Sequence, residues 1–265
     1  MFDFHLHSKL SFDASEDMLS FCEQAAQMGM QEICFTEHVE LDNIYANDWD
    51  GTVDYAEYTR QIEVARSRYP GLLIRQGLEV GLQPHTTRAT SEHLRGQKLD
   101  FVIASQHVSR RGDPYSNKEF YSGLTLKQVV AGFLEETCEC LSAFDDFDVV
   151  GHLSYVTLFA PEPEPVEYAD YADILDEILK SVVARGKGIE INTTSYYFYD
   201  APMATLSTLK RFRELGGEVV TIGSDAHYVV AMGHKYDQAL EVLRAAGCEY
   251  VCTFAERQPS FHKLP

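Results

Sequence analysis

The chain opens Phe2-Asp3-Phe4-His5-Leu6-His7, an apolar-polar start that reads as a β-strand carrying two histidines. Side chains alternate across a strand, so residues two apart point the same way, and His5 and His7 present two imidazoles to one side. Imidazole nitrogen suits zinc, iron, manganese and nickel. One such pair is half of a metal site. It becomes a site only if other elements deliver further ligands to the same place.

Other elements do so in chain order. Thr36-Glu37-His38, Gly77-Leu78-Glu79, Ser105-Gln106-His107, Gly151-His152 and Gly223-Ser224-Asp225-Ala226-His227 each close or follow a short apolar run. The runs read as strands at 2–6, 32–36, 72–80, 100–105, 147–151, 188–192 and 218–223, with a possible eighth element at 249–254. Helix-like segments lie between them, near 15–29, 53–69, 125–143, 168–186, 202–216 and 234–247. Several end in glycine (Gly29, Gly186, Gly216, Gly247), as helix C-termini often do. This alternation predicts an α/β fold of parallel strands covered by helices. Ligands at the C-terminal ends of most strands fit a closed or nearly closed barrel, whose active site lies on that face.

A lone strand-end histidine, such as His107 or His152, is as readily a hydrogen-bonded structural residue as a ligand; the joint pattern favours a metal site. Glu190-Ile191-Asn192 ends the sixth strand with polar residues that are less clearly ligands, and His85, His93, His234 and His262 lie off the strand ends. Three nitrogen or oxygen ligands plus water describe one catalytic ion. The larger set here implies several, and close-set ions serve in-line displacement at phosphorus.

Composition narrows the partners. Lysine and arginine number 22 against 41 aspartates and glutamates, a net charge of −19. That balance argues against polymeric nucleic acid, whose phosphates are bound through basic patches. An apolar fraction of 45% over 265 residues is ample for a packed core. Cys22, Cys34, Cys138, Cys140, Cys248 and Cys252 form no CxxC or disulfide-framework spacing and read as free thiols of a reducing compartment. No signal-peptide pattern opens the chain and no apolar run approaches a membrane span, so a soluble, cytoplasmic protein without membrane partners is expected. The Pro/Glu stretch 160–165 and the polar run 109–123 read as loops, and residues 1–265 as one domain. The sequence assigns no oligomeric state.

Taken together, His5-x-His7-Ser8-x-x-Ser11-x-Asp13, Thr36-Glu37-His38, Gly77-Leu78-Glu79, Ser105-Gln106-His107, Gly151-His152 and Gly223-Ser224-Asp225-Ala226-His227 resemble, in order, the motifs of the polymerase-and-histidinol-phosphatase (PHP) superfamily, and most closely its stand-alone histidinol-phosphatase branch. The resemblance spans nearly the whole chain. It implies a distorted (β/α)7 TIM-like barrel with three divalent ions, zinc, manganese or iron. Carried over by position, one ion would be held by His5, His7, Glu79 and Asp225, and a second would share Glu79 and add His107 and His152. A third would take Asp13, His38 and His227. Many relatives have a histidine where Asp13 stands.

The implied reaction is hydrolysis of a small phosphorylated metabolite, L-histidinol phosphate first among candidates, by a hydroxide bridging two ions. Glu37, His227 or a metal-bound water would protonate the leaving oxygen, with Asp225 also among the catalytic side chains. The branch commonly places arginines after the fifth-strand histidine and after the sixth strand, where this chain has Leu158 and Tyr196-Tyr197. Arg110 and Arg111, after His107, are candidate substitutes for binding phosphate, and Tyr196 and Tyr197 candidate walls of a substrate pocket. Alternative readings are a nucleotide or cyclic phosphodiesterase, a phosphotyrosine phosphatase, or a non-catalytic metal-binding barrel. Hydrolysis of a C–N bond of the amidohydrolase type is a further one, but its characteristic lysine is absent from the fourth strand.

Overall fold

The computed structural model describes residues 1–43, 51–117 and 119–265; Lys118, within the polar run expected as a loop, lies outside them. Seven parallel strands form one sheet in sequence order: β1 (Phe2–Leu6), β2 (Glu32–Glu40), β3 (Leu73–Gly81), β4 (Phe101–Ser105), β5 (Val149–Val150), β6 (Gly188–Asn192) and β7 (Val220–Gly223). The ring closes just beyond β7. Leu6 bridges Ala226 in parallel, with His7 N–H donating to the Ala226 carbonyl at 3.0 Å. The nearly closed (β/α) barrel expected from the alternation is the fold observed.

Helices α1 (Met18–Gln27), α2 (Tyr55–Arg68), α3 (Thr87–Leu94), α4 (Leu126–Ala143), α5 (Ala172–Ala184), α6 (Leu206–Glu214) and α7 (Tyr236–Ala245) follow the strands. Their spacing explains their packing. In α5 the buried residues Leu175, Ile178, Leu179 and Val182 recur at helical intervals, an apolar stripe facing the sheet. Each such fully buried side chain contributes roughly 1.5–3 kcal/mol. Thr125 and Gln128 close a capping box that starts α4. Tyr58 of α2 reaches the barrel, donating its hydroxyl to the carbonyls of Phe35 and Gly77 at 2.8 and 2.9 Å.

Three expectations change. Helix α3 was not anticipated, because its segment offers little apolar periodicity: only Thr87, Thr90 and Leu94 are buried. Strand β2 continues four residues past Thr36, carrying His38 and Glu40 on a paired strand. The eighth element forms β8 (Tyr250–Ala255), which pairs antiparallel with β9 (Gln258–Lys263) in a separate two-stranded sheet. This hairpin covers the N-terminal mouth of the barrel: Phe254 packs on Phe101 and His262 on Phe2, each the first residue of a barrel strand.

Candidate metal centre at the C-terminal mouth

At the opposite mouth the strand-end ligands meet. Glu79 of β3 is the centre. Its Oε2 lies 3.1 Å from His5 Nε2 and 3.4 Å from His7 Nε2, and Oε1 lies 2.7 Å from His152 Nε2 and 3.2 Å from His107 Nε2. Asp225 Oδ1 stands 3.5 and 3.4 Å from the same His5 and His7 nitrogens. Asp13 Oδ2 approaches His38 Nε2 at 3.3 Å and His227 Nε2 at 3.1 Å. All nine expected ligands therefore converge. Overlapping triads His5–His7–Asp225, His5–Glu79–His152, His38–Glu79–His107 and His7–His38–His227 each hold donor atoms within 4.8 Å of one another.

The backbone is shaped for this. Asp225 adopts φ 54, a left-handed conformation that costs an L-residue about 1–2 kcal/mol and that aspartate tolerates better than most. The Asp225 carboxylate approaches His5 and His7 and the His227 ring approaches Asp13, so both face the cluster. Gly223 and Gly81 leave room for carboxylates. A Cβ on Gly223 would collide with Glu190 and His5, and one on Gly81 with the Glu40 carboxylate.

Behind the ligands stands a set of orienting groups. His5 Nδ1 bonds Glu190 Oε1 and His107 Nδ1 bonds Glu40 Oε1, both at 2.6 Å. His7 Nδ1 meets Ser11 Oγ at 3.1 Å, and His227 Nδ1 the Asp225 carbonyl at 3.0 Å. Each contact occupies one ring nitrogen and leaves Nε2 aimed inward, the arrangement that fixes tautomer and basicity in metal-ligating histidines. Ser105 donates to Glu79 Oε1 at 2.6 Å, and Asn192 Nδ2 to Asp225 Oδ2 at 3.2 Å. Sequence reasoning missed Glu40, quoted Ser11 and Ser105 only as motif positions without a role, and left Glu190 aside. Glu40 was findable: it sits two residues beyond His38 on one strand and so shares its side.

Electrostatics fit a cation. Buried polar atoms are normally hydrogen-bonded, yet His5 Nε2, His7 Nε2 and Glu79 Oε2 are buried with no hydrogen-bond partner among the described residues. Burial alone would lift the Glu79 and Asp225 carboxyls, but the histidines around them, His5 foremost, hold both well below the usual range. Burial likewise opposes charge on His7, yet Asp225 and Glu79 raise it to about 9. His38 falls to about 4 through burial and the neighbouring His7. A convergent set of imidazoles and carboxylates, short of partners and out of water, matches nitrogen/oxygen coordination of divalent ions. Such ions displace ligand protons on binding.

Four expected residues lie elsewhere. Glu37 is fully buried with its carboxylate turned from the cluster, accepting from Ser8 Oγ and Ser11 Oγ at 2.6 Å each. It neighbours His38 along β2 and so faces the other way. It reaches the centre only through Ser11, which touches His7, so it does not stand where a leaving group could be protonated. Arg110 is forked onto Glu139 at 2.8 and 2.9 Å, and Arg111 donates to the Phe120 and Ser122 carbonyls. Neither lines the cavity over the cluster. Of the tyrosine pair, Tyr197 lines that cavity and Tyr196 does not; burial and the nearby Asp200 and Glu241 push the Tyr196 hydroxyl up to about 12. The cavity, about 470 Å³, opens over Asp13, Asp225 and His227 and is walled by Tyr155, Leu158, Phe159, Tyr197 and Phe198.

The PHP domain family model matches residues 3–194. The chain belongs to the PHP family. Relatives extend the likeness beyond the matched span. The histidinol-phosphatase of Lactococcus lactis is 28% identical over 255 residues, 96% of this chain and 94% of that one. A probable histidinol-phosphatase of Clostridium acetobutylicum is 29% identical over 97% of this chain and 98% of its own. The crystal structure of the L. lactis histidinol phosphate phosphatase, complexed with zinc, L-histidinol and phosphate, superposes with a TM-score of 0.88 at 27% identity and covers 98% of both chains. The PHP fold thus runs nearly the length of this chain. No helix among the described residues is long and apolar enough to cross a membrane.

Proposed function

We propose that this protein is a metal-dependent phosphomonoesterase acting on a small phosphorylated metabolite, L-histidinol phosphate before others. The observation that carries the reading is the convergence of His5, His7, Glu79 and Asp225 on one point, with buried donor atoms lacking partners, beside a ring-walled cavity. The near full-length match to an enzyme solved with zinc, L-histidinol and phosphate supports both metal and substrate.

His5, His7, Glu79 and Asp225 would hold one divalent ion, Glu79, His107 and His152 a second, and Asp13, His38 and His227 a third; zinc, manganese and iron all suit this donor set. When bound, such ions supply an activated water at neutral pH and neutralise phosphoryl oxygens. The chain's own residues do the rest. Glu190, Glu40 and Ser11 keep His5, His107 and His7 in the required tautomer, and Ser105 steadies the shared carboxylate of Glu79. Asp225 and His227 line the cavity, so the departing alkoxide would leave beside these two ligands. The aromatic residues Tyr155, Phe159, Tyr197 and Phe198 would border the reacting phosphate.

Phosphate release from L-histidinol phosphate, assayed with zinc, manganese or iron(II) added to metal-stripped protein, tests the reading. Turnover that depends on added metal is expected. Cleavage of diesters alone, with no release from any monoester, would overturn it.

A further inference from the structure

His5 and His107 take their orientation directly from carboxylates: Glu190 and Glu40 each sit 2.6 Å from a ring Nδ1. A carboxylate only accepts, so each contact puts the ring proton on Nδ1 and leaves the Nε2 lone pair for an ion. His7 differs, because its Nδ1 faces a hydroxyl, Ser11 Oγ, at 3.1 Å. A hydroxyl can donate as well as accept. Alone, Ser11 would fix the position of the His7 ring and leave its tautomer open.

The other contacts of Ser11 close that choice. Its Oγ donates to Glu37 Oε2 at 2.6 Å and accepts the His38 backbone N–H at 3.1 Å. Glu37 is met by donors on its other side too, the Ser8 N–H at 3.1 Å and the Ser8 hydroxyl at 2.6 Å. A serine hydroxyl has one proton and two lone pairs. Here the proton goes to Glu37 and one lone pair to the His38 N–H, so the other is left for a proton on His7 Nδ1. His7, Ser8, Ser11 and Glu37 are all buried, so bulk water does not compete for these positions.

We infer that Glu37 is a positioning residue for the metal centre: by taking the Ser11 proton, it holds His7 in the tautomer whose Nε2 can bind an ion. Glu37 has this role only if His7 is a ligand, so the inference rests on the phosphomonoesterase reading and gives a part in it to an acid turned away from the cluster. Glu37 also ties Ser8 and Ser11, in the segment leading to Asp13, to β2. An anchor of that kind would not depend on which way one hydroxyl proton points. The relay does. Without an acceptor at position 37, the Ser11 proton is free to turn to His7 Nδ1, and the hydroxyl then favours the tautomer with Nε2 protonated, which cannot coordinate.

Zinc affinity, measured by chelator competition, tests this on Glu37→Leu, Glu37→Gln, Ser11→Ala and the double variant Glu37→Leu with Ser11→Ala, with circular dichroism to confirm folding. Ser11→Ala and Glu37→Leu should each weaken zinc binding by about 10–100-fold, the usual cost of losing a group behind a metal-ligating histidine. Glu37→Gln should bind zinc at least about fivefold tighter than Glu37→Leu, because its amide oxygen still accepts from Ser11. The double variant should bind zinc no more weakly than Glu37→Leu, since without the hydroxyl there is no proton to misdirect. Losses that multiply in the double variant, Glu37→Gln as weak as Ser11→Ala, or Ser11→Ala with wild-type affinity overturn the inference and leave the phosphomonoesterase reading standing. If Glu37→Leu does not fold, Ser11→Ala and Glu37→Gln decide by the same criteria. Wild-type protein that takes up no zinc overturns that reading, and the inference with it.

Discussion

The two mouths of this barrel are built from the same strands and are both rich in acids, yet they treat buried charge in opposite ways. At the N-terminal mouth, Asp148 Oδ2 accepts from Val102 N–H at 2.8 Å and from Arg257 Nε at 2.5 Å. Asp100 Oδ2 accepts from Gln76 N–H at 2.9 Å and Arg66 Nη2 at 3.1 Å, and its Oδ1 takes the Glu256 N–H at 3.1 Å. At the C-terminal mouth, Glu79 Oε2 faces histidine nitrogens with no hydrogen-bond partner among the described residues. Strained backbone follows the same division. Glu256 and Arg257, at φ 49 and 64, make the two-residue turn of the β8–β9 hairpin, and their cost is offset at once by the bonds to Asp100, Asp146 and Asp148. Asp225, at φ 54, points a carboxylate at other ligands instead. One end is completed by the protein. The other is completed only by what it binds, and that difference marks which end works.

The sharpest way to break this comparison is to alter the shared ligand. Glu79→Gln keeps the shape and one acceptor oxygen but removes the charge that the centre is built around, and kcat/KM for phosphate release should fall by at least about 10³-fold. Far-ultraviolet circular dichroism should be unchanged. A variant within tenfold of wild type would mean that Glu79 is a structural acid like those at the other mouth. Metal removal is the next largest effect. If the C-terminal mouth is completed by ions, chelation should lower the melting temperature, and added zinc should restore it, since a ligand at about 1,000 times its Kd stabilises by about 4 kcal/mol. Identical melting curves with and without chelator would show that the unpartnered donors are tolerated without a ligand.

How much of this could be read from residues alone differs between the mouths for the same reason. The ligands were legible because chemistry fixes their types and strand geometry fixes their spacing: His5 and His7 two apart, and a His, Glu or Asp closing strand after strand. Strands β1 and β6 matched their apolar runs to the residue. What stood behind the ligands was harder. Glu40 lay beyond the expected end of the second strand at residue 36, and the β2–β3 register, which sets it beside Gly81, shows a buried carboxylate with room made for it. Glu37 carried the chemistry of an acid, but alternation with His38 turns it to Ser8 and Ser11. Arg110 and Arg111 followed His107 in sequence, but long side chains go where partners are, and the acids of α4 and the loop carbonyls hold them. The hairpin was the least legible. Nothing in 249–254 distinguishes a barrel strand from one that caps the barrel, because that choice depends on Asp100 and Asp148, more than a hundred residues away.

Arg257→Ala separates the mouths from the other side. The side chain is half-buried against Asp148 and Asp146, and its loss leaves the buried Asp148 carboxylate short of its cation. A stability loss of about 2–3 kcal/mol is expected by denaturant titration. Activity and zinc uptake should stay within about twofold of wild type, since the centre lies at the far ends of the strands. A stable variant, or one that loses metal, would show that the two mouths are not independent.

The smallest effect, and the finest test, lies in pH. Burial raises the Asp148 carboxyl above its usual 3.8, and Arg257 and the Val102 N–H offset this only in part. A carboxyl whose folded pKa exceeds its unfolded one binds its proton more tightly in the native state. Its stabilising contribution is therefore complete below pH 3.8 and lost as pH rises through the folded value. Asp148→Asn cannot titrate, so the stability of wild type relative to this variant should decline with rising pH across that window and then level off. In Arg257→Ala the same carboxyl has lost the guanidinium that favoured its charged form, so its folded pKa should rise further. The destabilisation of that variant should then shrink as the solution is acidified from neutrality, because a protonated Asp148 needs no cation. Denaturation midpoints of the three proteins between pH 4 and 7 measure this directly. A penalty for Arg257→Ala that does not change with pH would mean that the hairpin is held by packing of Phe254 on Phe101 and not by the acids it covers.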